Sequence, residues 1–195
     1  MAEIKRGIAY YSVDVETAGP SPLVHSMLAL GAVYIDDLEK KEFYVELKPT
    51  SNKYDPKALK VNGFDLSKLM ITGQEPESAM LSFSDWVKKT SGGKRPVFVS
   101  YGTFDWMFVQ AYLSKYTGEM PFGPNGLDLK SFGMGVLNLE TWRDTTEQRI
   151  MDLVGLKRDP LNIAHNALHD AREQARLFNL LQDLRSKQPS TKLRA

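Results

Sequence analysis

Short apolar runs dominate the first fifty positions. Residues 7–15 (GIAYYSVDV) form a run that turns acidic at its C-terminal end and read as a buried strand. Residues 17–22 (TAGPSP) have loop composition. Residues 26–35 (SMLALGAVYI) predict a second strand, and residues 41–47 (KEFYVEL) a third, with alternating polarity. The break at Asp36-Asp37 between them predicts a hairpin, so the chain opens as a meander of three antiparallel strands.

The period then lengthens. Residues 56–61 predict a short helix; residues 75–90 predict a longer one, with Pro76 at its start and Ala79, Met80, Phe83, Trp86 and Val87 at helical spacing. Residues 96–101 (PVFVSY) return to a buried strand, followed by a helix over 104–115 and a Gly-Pro-rich loop over 118–126. Helices are expected over 130–139 and over 144–156, the latter with Asp144 as N-cap and Glu147 three residues on. The longest helix covers 166–186, with Leu168, Ala171, Ala175, Phe178 and Leu181 along one face. A mixed sheet flanked by helices follows from this order.

Composition narrows the class. The chain has 195 residues, 42% apolar and 25% charged, which suits a single domain over 1–186 with a polar tail over 187–195. No apolar stretch approaches the ~18 residues of a membrane span. There is no cysteine, so disulfides, thiolate metal sites and a cysteine nucleophile are excluded. Any metal must be held by oxygen or imidazole. The N-terminus lacks a signal-peptide pattern, and a cytoplasmic location is expected. The net charge of +1 gives no general nucleic-acid-binding signature.

Three constellations carry candidate chemistry. Asp14 and Glu16 sit two apart at a strand end, which places both carboxylates on one face, roughly 6.5–7 Å apart. Such a pair repels unless a cation lies between its members. Phe104-Asp105 follows the later strand and opens a helix, where the macrodipole favours an acid. His165 stands just before the last helix, and Asp170 falls in it beside the small residues Ala167 and Ala171. His169 adjoins Asp170 but points about 100° away around the helix.

Together, D-x-E, F-D and H-x-A-x-x-D-A in this order resemble the histidine-containing branch of the DEDD superfamily of 3′–5′ exonucleases. That branch includes the proofreading subunit of the bacterial replicative polymerase, RNase T and oligoribonuclease. The resemblance implies an α/β, ribonuclease-H-like fold with a five-stranded mixed sheet flanked by helices. It implies that Asp14, Glu16, Asp105 and Asp170 hold two divalent cations, Mg²⁺ or Mn²⁺. It makes His165 the general base that takes a proton from the attacking water, a task suited to a side chain that titrates near neutrality. The implied substrate is single-stranded RNA or DNA, cut from the 3′ end to nucleoside 5′-monophosphates. Stand-alone relatives are dimers, which makes a homodimer an option.

Val15 and Thr17 are candidate backbone contacts to the terminal nucleotide, and Phe104 and Trp106 candidate stacking partners. Tyr101 stands where many relatives carry Asn, so it or Thr103 is a candidate replacement contact. Asp128 reads as structural. The competing reading is a catalytically weak nucleic-acid-binding module on the same fold; all five catalytic positions being present favours the enzyme.

Overall fold

A computed structural model describes residues 7–37, 41–160 and 165–188 of the chain. The N-terminal six residues, the residues after Asp37 at the expected hairpin turn, and residues 189–195 of the expected tail lie outside these.

Among the described residues the five strands are β1 (Ile8–Thr17), β2 (Met27–Tyr34), β3 (Glu42–Glu46), β4 (Arg95–Ser100) and β5 (Gly126–Asp128), in the order β3-β2-β1-β4-β5. β1, β2 and β3 pair antiparallel, as the meander predicts, while β4 joins β1 and β5 joins β4 in parallel. Among the described residues the seven α-helices are α1 (Pro56–Asn62), α2 (Leu66–Thr72), α3 (Pro76–Ser91), α4 (Phe104–Tyr116), α5 (Leu129–Val136), α6 (Glu147–Leu153) and α7 (Ala167–Lys187). Among the described residues no helix is long and apolar enough to cross a membrane.

The alternation of side chains along β1 sorts the molecule into layers. Tyr11, Val13 and Val15 enter a core with Phe83, Val87, Phe108 and Leu113, from α3 and α4. The opposite face carries Tyr10, Ser12, Asp14 and Glu16. There the Tyr10 ring packs at a tilt against Phe178 of α7, with ring centroids 4.8 Å apart, beside a second core built from Val99, Leu129, Ile150, Phe178 and Leu181. Burying each large apolar side chain stabilises by ~1.5–3 kcal/mol, so two such cores hold β1 between helices on both sides.

Sequence and structure differ at three places. α2 was not expected; only Leu69 of its seven residues is buried, too little for a periodic signal, and its start is set by Asp65, which accepts from the N–H groups of Ser67 and Lys68. β5 lies at the end of the expected Gly-Pro loop, and three residues are too few to show alternation. Asp144 does not cap a helix. It lies in the 3₁₀ turn Trp142–Thr145 and accepts from the Thr141 hydroxyl at 2.7 Å, and α6 begins only at Glu147. Asp128 is structural as read: it caps α5 by accepting from Lys130 N and Ser131 N, and it also accepts from Gly102 N at 2.8 Å.

Candidate active site

The site begins with the face of β1 turned to α7. Asp14 pairs across the sheet with Gly31 and Glu16 with Ala29, so each acid has a small neighbour on β2. The β1–β2 register shifts between Glu16 and Thr17, a bulge that ends regular pairing where the acids stand.

The first turn of α7 descends onto Gly31. A Cβ there would lie 2.2 Å from Leu168 N and 2.3 Å from the Ala167 carbonyl carbon. Asn166 caps the helix by accepting from His169 N at 3.2 Å. His165, just before the cap, has a left-handed backbone (φ 62°) and donates its N–H to Asp170 Oδ2 at 3.1 Å. This conformation costs a non-glycine residue ~1–3 kcal/mol and persists only where its surroundings fix it.

From the other side, Asp105 in the first turn of α4 is buried, and its Oδ1 accepts from Val15 N at 3.2 Å. Ligand atoms of Glu16, His165 and Asp170 lie within 4.8 Å of one another, close enough to share a cation. Asp14, Tyr101, Glu147, Arg158, His165, Asp170 and Gln174 line a cleft of about 490 Å³.

The electrostatics follow from burial and crowding. Burial, then the charges of Asp105, Asp170 and Glu16, hold the Asp14 carboxyl well above the usual range. Burial and the charges of Asp170 and Asp105 push Glu16 up to about 7. Asp105 is raised by burial, against the pull of the Val15 N–H. Asp170 is also raised by burial, opposed by His165 and Arg158.

The remaining sequence candidates are placed as follows. Val15 buries its side chain in the α3/α4 core and gives its N–H to Asp105. Thr17 is buried; its hydroxyl donates to Gly19 O at 2.9 Å and its carbonyl accepts from Asn62 Nδ2 at 3.0 Å. Phe104 is exposed at the start of α4, over Phe108. Trp106 packs onto Phe98 and Phe122 in the α3/α4 core. Tyr101 borders the cleft and donates its hydroxyl to Thr145 O at 2.6 Å.

Three cleft residues escaped the sequence reading. Gln174 is buried, donates to Asp14 Oδ1 at 2.8 Å and accepts from Tyr101 N at 3.1 Å. Its spacing of four from Asp170 is the signal that could have found it. Arg158 reaches Glu147 Oε2 and Glu173 Oε2, each at 3.0 Å. Glu147, read as a capping residue, is Arg158's partner instead.

The exonuclease family model RNase T matches residues 12–178, which takes in every one of these residues. The chain belongs to this family of 3′–5′ exonucleases. The exonuclease is 39% identical over 180 residues to the 3′–5′ DNA exonuclease Cap18 of Escherichia coli, covering 91% of this chain and 94% of that one. Its fold superposes on the nuclease domain of 3′hExo, a DEDDh family member bound to rAMP, with a TM-score of 0.71 at 16% identity, covering 93% and 95% of the two chains. It also superposes on S. pombe Pop2p in a form binding Mg²⁺ and Mn²⁺, with a TM-score of 0.61 at 17% identity, covering 91% and 83%.

Proposed function

We propose that this exonuclease is divalent-metal-dependent and trims single-stranded DNA from its 3′ end, releasing nucleoside 5′-monophosphates. The observation that carries the reading is the convergence of Asp14, Glu16, Asp105, His165 and Asp170 from β1, α4 and the start of α7. The choice of DNA over RNA follows the Escherichia coli relative.

The residues fit divalent cations. Carboxylate donors suit Mg²⁺ or Mn²⁺, and acids that raise one another's proton affinity are the groups an added cation would stabilise. Asp14, Glu16, Asp105 and Asp170 would hold two such ions. When bound, these supply positive charge for the phosphodiester and for the leaving 3′ oxygen.

The chain's own groups do the rest. His165 takes the proton from the water that attacks phosphorus, and the bond to the 3′ oxygen of the penultimate nucleotide breaks. The hydrogen bond from its backbone to Asp170 fixes where the imidazole is presented. Phe104 offers an exposed ring to a terminal base.

The test is digestion of 5′-labelled single-stranded DNA, single-stranded RNA and duplex DNA by the purified protein in Mn²⁺ or in EDTA. The expected result is a ladder shortened from the 3′ end, fastest on single-stranded DNA and absent in EDTA. Faster loss of RNA would overturn the DNA preference. Tight retention of uncut strands in Mn²⁺ would establish a binding module instead.

A further inference from the structure

Three hydrogen bonds link four residues in series behind the acidic cluster. The Tyr101 hydroxyl donates to Thr145 O at 2.6 Å, which anchors the turn after β4 to the segment leading into α6. The Tyr101 N–H donates to Gln174 Oε1 at 3.1 Å. The Gln174 Nε2 donates to Asp14 Oδ1 at 2.8 Å.

The two contacts of Gln174 fix its orientation. Its carboxamide has one donor end and one acceptor end, and the Tyr101 N–H can be met only by the oxygen. The donor end is thereby committed to Asp14. The reverse orientation would set an amide N–H₂ against an N–H and an oxygen against a carboxylate. Gln174 is 3% exposed, so neither contact has water as a ready substitute. Asp170 and Gln174 also lie one turn apart on α7, so one rigid helix carries an acid of the cluster and the group that holds another.

We infer that Gln174 is a positioning residue for Asp14: its amide sets the rotation of this carboxylate before a cation arrives. The inference rests on the metal-site reading above. Hydrogen-bonded partners of ligating carboxylates typically change metal affinity or activity by ~10–100-fold when removed.

The test compares Gln174→Met and Gln174→Ala with wild type and with Gln182→Met, a change elsewhere on α7. Mn²⁺ affinity is measured without substrate, by the electron paramagnetic resonance signal of free Mn²⁺, alongside metal-free melting and kcat and KM on single-stranded DNA. The expected result is Mn²⁺ binding weaker by ~10-fold or more in both Gln174 variants, with lower kcat and little change in KM. Gln182→Met should match wild type. A residue of purely structural importance would lower the melting temperature and leave Mn²⁺ affinity alone; that result, or unchanged affinity and kcat, overturns the inference. Loss of the fold in both variants would make Gln174 a core residue and overturns it too. If wild type itself neither binds Mn²⁺ nor cuts DNA, the metal-site reading fails instead.

Discussion

Gly31 stands directly across the β1–β2 pair from Asp14, and the first turn of α7 rests on it. The missing side chain on one strand is what lets the helix bring Asp170 beside the acids of the other. Gly31→Ala would press a methyl group into the Ala167–Leu168 backbone, which cannot swing aside as a side chain can. Overpacking of this kind costs ~1–3 kcal/mol, or roughly 2–4 °C of melting temperature per kcal/mol in a chain this long. The variant should melt several degrees lower and lose most of its nuclease activity, as measured by thermal denaturation and oligonucleotide digestion. Wild-type activity in Gly31→Ala would show that α7 need not sit so close.

The acidic cluster makes the metal-free protein sensitive to pH. Glu16 ionises near 4.5 in an unfolded chain and at about 7 in the folded protein. Between these values the folded state holds a proton that the unfolded state has released. The Glu16 contribution to stability therefore falls as pH rises through this window and levels off above about 7. Asp14 and Asp105, raised by burial and by neighbouring charge, act in the same direction. Melting in EDTA across this range should show the decline. Asp14→Ala should flatten it, melt no lower than wild type at alkaline pH, and be inactive.

His165 and His169 provide a matched pair. His165→Ala should cut at least ~10²-fold more slowly, the usual contribution of a general base, while Mn²⁺ and single-stranded DNA still bind. His169→Ala should stay near wild type. Single-turnover digestion with parallel binding measurements separates the two. An inactive His169→Ala beside an active His165→Ala would reverse the assignment.

Arg158 ties α6 to α7 through Glu147 and Glu173. Glu173 is 2% exposed, so removing the guanidinium takes away the ion pair of a buried carboxylate that keeps only the Asp159 backbone and the more distant charge of Arg176. Arg158→Ala should destabilise by ~1–3 kcal/mol, read by denaturant unfolding. Pairing it with Glu173→Gln should recover part of that loss. No change in either variant would show that the pair carries no energetic weight.

The layers of the fold were legible where periodicity was long. The meander, β4, α3, α4 and α7 each carry enough apolar positions to show their period, and the three acidic motifs lie at the junctions of those elements. What stayed hidden depended on distant partners. Gln174 is one more polar residue in a helix until Asp14, 160 positions away, meets it. Glu147 fits a capping pattern in sequence, yet an arginine eleven residues on claims its carboxylate. α2 and β5 are too short for their own pattern to outweigh the turn residues around them. Gly31 is one more small residue in an apolar strand until α7 packs against it.

The alternation along β1 has a consequence for how this enzyme can fail. A strand slipped by one residue would drive Asp14 and Glu16 in among Phe98 and Phe108 and turn Val13 and Val15 toward the cleft. Carboxyl groups there would find no partners and would have to take up a proton or stay unpaired, so the slipped register is disfavoured. The same alternation that sets the acids at the cleft thus also holds the strand in its register.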